Sequence, residues 1–293
     1  MFYSKFEVFK GQNGSFGITS IDQIRLNNKN SVFPKNRSPL RYPGGKSRAI
    51  NIICSFIPAE TKEICSPFFG GGSIEIACAD MGIKVHGYDI FSPLVDFWQC
   101  LLEDSSRLSN IVKNYFPLSW DRFYELQKIQ GKVDDIWERA AIFYVLNRSS
   151  YSGATLSGGM SPGHERFTIS SIQRLRDFKT DNISIKKNDF TESILQHKNT
   201  LLYLDPPYLI ESKIYGEKGS THRGFDHPAL NVLLKKRDKW ILSYNNCPEI
   251  LEAYMDYTVL FPNWKYGMSN DKNSKEVLIL SHDIAEIFRI RGL

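Results

Sequence analysis

Apolar positions in this chain alternate between short strand-like runs and helical spacing. Residues 63–67, 84–88, 183–186, 201–204, 240–244, 257–260 and 276–280 read as seven strands, each a few residues long and bounded by turn formers. Between the first two, residues 73–81 have helical spacing, with Ile74, Ala77, Cys78 and Met81 on one side, and Gly82 stops the helix. An apolar pattern over 49–56, ahead of Pro58, reads as a further helix. Strand, glycine turn, helix, strand is the opening of a doubly wound α/β fold.

The pattern changes from Leu94 to about Lys179. Segments 94–108, 120–130 and 136–146 have helical spacing, the last with Ile136, Ala140, Phe143 and Val145 apolar. A loop rich in Ser and Gly follows over 147–163, and long loops of this kind in compact domains are usually functional. Strand patterns then resume. The expected organisation is a polar N-terminal arm over 1–37, a main domain made of 38–100 and 181–293, and a helical insertion over 101–180.

Composition narrows the class without choosing it. At 42% hydrophobic residues the chain of 293 has enough apolar material for a folded core. The net charge of +5 permits a nucleic-acid partner but does not require one. Local clustering says more: Arg166, Arg174, Arg176, Lys179, Lys186 and Lys187 face only Asp177 and Asp181 between them, either as a solvated face or as a polyanion contact. The five cysteines have no CxxC spacing, which points to reduced thiols rather than to disulfides or zinc, and no metal site is expected. Lys5, Glu7 and Lys10 interrupt any signal-like apolar stretch, and no window suits a membrane helix. These features suggest a cytoplasmic protein.

Five features carry candidate chemistry. Asp205-Pro206-Pro207-Tyr208 follows a buried strand candidate, where open α/β sheets bind ligands. The prolines remove two amide donors and stiffen the turn. A carboxylate, carbonyl oxygens and an aromatic face then suit a planar ligand bearing an amine, such as a flipped-out adenine. Phe68-Phe69-Gly70-Gly71-Gly72-Ser73 is a glycine turn that admits close approach to backbone and exposes helix N-terminal amides. It is not a complete dinucleotide fingerprint, because Glu75 holds the third glycine position. Asp89 ends the second strand, placed either to bind ribose hydroxyls or to cap a helix. In Arg41-Tyr42-Pro43-Gly44-Gly45-Lys46-Ser47, Leu40 replaces the first glycine of a phosphate-binding loop, which disfavours an ATPase. Lys46 there suits a carboxylate, and Tyr42 a nucleoside ring. Last, Asn147-Arg148-Ser149-Ser150-Tyr151-Ser152-Gly153 sets an aromatic on a small-residue loop, either as a stacking platform for bases or as a cover over the core.

Taken in order, RYPGGK, SPFFGGGS, YD, NRSSYSG and DPPY resemble the DNA adenine methyltransferase family that contains the Dam methylases, over about residues 38–282. The resemblance implies a Rossmann-like, S-adenosylmethionine-dependent fold with a mostly parallel seven-stranded sheet and an inserted target-recognition domain. It implies methyl transfer to the N6 amine of adenine in double-stranded DNA. Asp205, Pro206 and Tyr208 are then the catalytic residues. Tyr42, Lys46, Phe69, Gly70, Gly72, Asp89, Asp189 and Asp205 are cofactor contacts. Tyr151, Arg148, Arg166, Arg174 and Lys275 are DNA contacts. The same resemblance suggests a prokaryotic or phage origin and a separately acting restriction endonuclease as partner. One departure stands out: Ala154 to Gly159 holds no arginine where the Dam members place a base-reading one, so the target sequence is left open. The competing readings are methylation of RNA adenine or of another amine, and a DNA-binding module without catalysis.

Overall fold

All seven apolar runs form strands, and these join one sheet in the order β3-β2-β1-β4-β5-β7-β6. The strands are β1 (Glu63–Ser66), β2 (Lys84–Asp89), β3 (Ile183–Lys187), β4 (Leu201–Leu204), β5 (Trp240–Asn245), β6 (Thr258–Leu260) and β7 (Glu276–Leu280). The computed structural model describes residues 34–156, 158–161, 166–209, 224–262 and 276–291. Most of the N-terminal arm expected over 1–37, and Lys275, lie outside the described residues. β1 to β5 run parallel, and only β7 is reversed, pairing antiparallel with both β5 and β6. The fold is therefore the mostly parallel α/β sheet expected of a Rossmann-like protein.

The sequence of the strands follows from their burial. β4, β5 and β7 are buried at every position, so they are mainly apolar rather than alternating, with Ser243, Asn245 and Glu276 as the buried polar exceptions. β3, at the sheet edge, exposes Lys186 and Lys187, which blunts that edge against pairing. Alternate residues feed two cores, one on each face. Ile64, Leu201, Tyr203, Ile241 and Leu278 enter one; Cys65, Leu202, Leu204, Leu242 and Ile279 enter the other.

The helices of 101–180 extend the first core rather than building a separate one. Phe123 and Leu126 of helix Trp120–Ile129, and Phe143 of helix Ile136–Ser149, belong to the same cluster as Ile64 and Phe69. Helix Ile136–Ser149 is buried on nearly all sides, beyond the single stripe its spacing suggests. The expected helix over 94–108 is two helices, Ser92–Glu103 and Ser105–Lys113. Asp104 stands between them in extended backbone, and its carboxylate accepts the Arg107 amide at 2.9 Å. A good N-cap thus ends one helix and starts the next where apolar periodicity alone runs through. Among the described residues no helix is long and apolar enough to cross a membrane.

From β1 the chain crosses over to β2 on one side, and from β4 it moves to β5 on the other. The carboxyl ends of β1 and β4 therefore flank the topological switch point, where a crevice opens between diverging connections.

Candidate active site

The turn after β1 is tied down from three sides. Gly70 and Gly72 have φ of +49° and +67°, a region that favours glycine. The sequence suggests that these glycines open the backbone to a ligand, but much of the space is taken by the chain itself. A Cβ at Gly71 would lie 2.7 Å from Tyr42 Cβ, and one at Gly70 would lie 3.0 Å from Tyr42 Cε1. The Trp98 indole donates to the Gly70 carbonyl at 3.1 Å. Asp89 closes the turn: its Oδ2 accepts from the Gly70 amide at 3.0 Å and its Oδ1 from the Phe91 amide at 2.9 Å. Burial pushes the Asp89 carboxyl above its ordinary value, although these amides oppose the shift. Phe69 fills the space over Gly87, where a Cβ would come within 2.2 Å of its ring.

At the end of β4, Asp205 and Tyr208 converge on Lys46. The Lys46 Nζ donates to both Asp205 carboxylate oxygens at 2.8 Å, to the Tyr208 hydroxyl at 2.8 Å and to the Gly44 carbonyl at 3.1 Å. It also pairs with Glu276 Oε1 at 3.2 Å, and the Tyr208 hydroxyl donates to that same oxygen. Lys46 and Glu276 are 4% and 3% exposed, while the Asp205 side chain keeps 22% of its surface accessible. Two carboxylates therefore share one ammonium in a largely dry setting. Burial raises the Glu276 carboxyl to about 7, with Asp205 adding to the rise and Lys46 opposing it. Burial also raises Asp205, against the pull of Lys46. The Tyr208 ring stacks on Tyr244, with centroids 6.1 Å apart.

Lys46, Asp205 and Tyr208 line a cavity of about 780 Å³, within the range of about 300–1,000 Å³ usual for ligand pockets. Tyr42, Lys46, Phe69, Gly70, Gly72, Asp89, Asp189, Asp205, Pro206 and Tyr208 all border it, so every expected cofactor and catalytic position meets in one place. Asp189 also caps helix Phe190–Gln196, accepting the Thr191 amide at 2.8 Å. Phe68, Phe190 and Phe225 form an aromatic wall, with ring centroids 5.1–5.7 Å apart.

The Tyr151 loop adjoins this cavity through Gly153, Ala154, Thr155 and Leu156. Asn147, 1% exposed, fixes it there. Its Oδ1 accepts the Arg41 amide at 2.8 Å, and its Nδ2 donates to the Arg41 carbonyl at 2.9 Å and to Thr155 Oγ1 at 3.1 Å. Tyr151 itself is 65% exposed. Arg148 spends its guanidinium on backbone, donating to the Arg166 carbonyl at 2.9 Å and 3.1 Å and to the Pro39 carbonyl at 3.5 Å. Arg166 and Arg174 are exposed, and both bear electrostatically on Arg148.

Several of the site's residues are missing from the set named on sequence. Glu276, Glu75, Trp98 and Asn147 carry the interactions above or border the cavity. A sequence signal exists for two of them. Glu276 opens an otherwise apolar strand, and Glu75 sits among Ile74, Ile76, Ala77 and Cys78. A charge where periodicity demands an apolar residue marks a site that tertiary structure must compensate.

A comparison with known families agrees with this geometry. The family model described as D12 class N6 adenine-specific DNA methyltransferase matches residues 42–268, from the tyrosine over the glycine turn to beyond the last parallel strand. No curated protein matches the chain. With the greater part of its length matched, and with the motif residues gathered around one cavity at the switch point of the sheet, the chain belongs to the D12 class of N6 adenine-specific DNA methyltransferases.

Proposed function

We propose that this protein transfers the methyl group of S-adenosylmethionine to the N6 amine of an adenine turned out of duplex DNA, at a defined sequence. The observation that carries the reading is the Lys46–Asp205–Tyr208–Glu276 cluster at the rim of the 780 Å³ cavity.

The cavity fits this cofactor in chemistry as well as size. Aromatic rings suit an adenine moiety, Asp89 stands at the β2 end for a ribose, and four carboxylates (Glu75, Asp89, Asp189 and Asp205) on its wall suit a cationic ligand. Tyr42, Phe69, Gly70, Gly72, Asp89 and Asp189 would hold it, with Lys46 and Asp205 beside its reactive end. When bound, S-adenosylmethionine supplies an electrophilic methyl carbon.

The chain's own residues supply position and charge. The exocyclic amine of adenine is a poor nucleophile because its lone pair is delocalised into the ring. Asp205 and the Pro206 carbonyl accept its two hydrogens, which favours a geometry with the lone pair directed out of the ring. Lys46 fixes the Asp205 carboxylate and opposes its protonation, keeping it an acceptor. As the amine gains a methyl group its N–H becomes acidic, and an Asp205 oxygen or water takes the proton. Tyr208 offers a ring for stacking, held upright by its hydroxyl contacts and by Tyr244. Tyr151, Arg148, Arg166 and Arg174 form the proposed DNA face.

The test is transfer of a labelled methyl group from S-adenosylmethionine to plasmid DNA and to total RNA. Label in DNA at N6 of adenine, at one recurring sequence in long-read data, is the expected result. Label confined to RNA overturns the choice of substrate.

A further inference from the structure

Glu75 is a buried charge that the proposed mechanism leaves unused. It lies in the first turn of helix Ser73–Asp80, 2% exposed, with Ile74, Ile76 and Ala77 buried around it. Its Oε1 accepts the Ser66 hydroxyl at 2.6 Å. None of the ion pairs among the described residues includes it. Asp205, of the same sign, acts on it electrostatically and raises its pKa further. A buried carboxylate without a cation is costly, typically several kcal/mol. The backbone amides of Ile74 and Glu75, in the first turn of the helix, also hydrogen-bond to the carboxylate, but amide dipoles do not supply the full positive charge that a buried carboxylate lacks.

A second, independent feature adjoins it. Tyr203, on β4, turns its side chain to the same face of the sheet and is 3% exposed. Its hydroxyl has no hydrogen-bond partner among the described residues. Glu75 and Tyr203 both line the cavity, and each lies within electrostatic reach of Asp205. One corner of the cavity thus presents a carboxylate lacking a cation and a phenol lacking a partner. The Glu75 carboxylate has its hydrogen bonds but no counter-charge, while a buried hydroxyl without a partner, as at Tyr203, is rare in native structures and calls for an explanation such as a ligand.

We propose that Glu75 and Tyr203 form the cation-recognising corner of the cavity, in which Glu75 takes the positively charged methionine end of the cofactor while Tyr203 contributes a second polar contact. The proposal rests on the S-adenosylmethionine reading above and assigns residues to one part of that ligand. The methionine end carries two cations, a sulfonium and an ammonium, and either suits a carboxylate. Glu75 acts here by binding and orienting, with no bond made or broken.

The experiment is calorimetric titration of the full chain at pH 8, without DNA and without turnover. Three ligands separate the charges: S-adenosylmethionine carries both cations, S-adenosylhomocysteine only the ammonium, and methylthioadenosine neither. Glu75→Gln keeps the shape and removes the charge. It is expected to weaken S-adenosylmethionine binding about tenfold or more, as loss of a charge-assisted hydrogen bond does, and to leave methylthioadenosine within about twofold. Equal losses for the first two ligands assign the ammonium to Glu75; a loss for S-adenosylmethionine alone assigns the sulfonium. The ligand-free variant should melt no lower than the wild type, because a buried charge has been removed. Tyr203→Phe should likewise preserve ligand-free melting and weaken S-adenosylmethionine less than Glu75→Gln does. Wild-type affinity for all three ligands in Glu75→Gln overturns the proposal. So does a uniform loss across all three, which would make Glu75 a shape-setting residue. If the wild type binds none of them, the cofactor reading itself falls, and the proposal with it.

Discussion

The end of the sheet and the face beside the Tyr151 loop treat charge in opposite ways. At the sheet end, Lys46, Asp205 and Glu276 are withdrawn from water and bound to one another, with the Tyr208 hydroxyl between them. Beside the loop, Arg41, Arg148, Arg166 and Arg174 gather with no carboxylate paired to them among the described residues. Arg41 and Arg148 turn to backbone carbonyls instead, and burial together with mutual repulsion lowers both their pKa values. The first region is an internally balanced device that needs exact partners. The second gathers positive charge with no paired carboxylate among the described residues, and the phosphates of the proposed DNA substrate would supply the counter-charge. Substitutions should therefore act through chemistry and folding in the first region, and through affinity and salt dependence in the second.

The sharpest break in that contrast is Asp205→Asn. It keeps the shape and removes the acceptor charge, so methyl transfer should fall about a hundredfold to ten-thousandfold while circular dichroism shows a folded protein. Substantial remaining turnover would remove Asp205 from its proposed role. Next comes Lys46→Met, which leaves Asp205 and Glu276 facing each other without a cation. Breaking a buried pair in this way costs about 3–5 kcal/mol, to be read from urea unfolding at pH 8. A loss below 1 kcal/mol would mean that the cluster is not balanced by Lys46.

Tyr208 divides ring from hydroxyl. The sequence points to the ring, and the structure adds hydroxyl contacts to Lys46 and Glu276. Tyr208→Ala should lose more transfer than Tyr208→Phe, yet the Phe variant should still fall about tenfold, since each net hydrogen bond to a charged group is worth about 1.5–3 kcal/mol. Equal losses would refute a role for stacking.

The buried acids in and beside the balanced region also set a pH trend. Glu75 and Glu276 are raised from 4.5 to about 7, so each binds protons more readily folded than unfolded. Their contribution to stability is full below about 4.5 and is lost as pH rises through about 7. Urea unfolding of Glu75→Gln between pH 5 and 8 should show a flatter decline than the wild type. Parallel curves would contradict the shift at Glu75.

On the other face, Tyr151→Ala should change stability by less than about 0.5 kcal/mol, as expected for an exposed side chain. It should weaken DNA binding by about 1–3 kcal/mol if the ring stacks on a base. Unchanged DNA affinity would make Tyr151 a bystander and confine recognition to the arginines.

Much of this architecture is written in local pattern. The seven strands are visible because each is a short apolar run closed by turn residues, and doubly buried strands such as β4 and β5 have no alternation to obscure them. The glycine turn, Asp89 and the Asp205 tetrapeptide are visible because each sits at the end of such a run, where an α/β sheet presents its ligands. What local pattern hides is equally specific. Asp104 splits a helix through a capping bond of its own side chain, which apolar periodicity does not register. Gly71 reads as room for a ligand, and Tyr42, far back in the chain, fills much of that room.

By itself, then, the sequence determined the strand order along the chain, the rigid Asp205-Pro206-Pro207-Tyr208 turn and the residues eligible for chemistry, because these depend on neighbours a few positions apart. Only the tertiary structure decided which charges meet. Lys46 reaches Asp205 across 159 positions, and Glu276 joins Tyr208 across 68, because the sheet brings β4 and β7 to either side of β5 and lays the Lys46 loop over their ends. Electrostatic partnership falls off with distance in space and takes no account of distance along the chain. The motif residues were therefore legible one by one, while the balance of two acids on a single ammonium, and the acid at Glu75 with no such partner among the described residues, exist only in the fold.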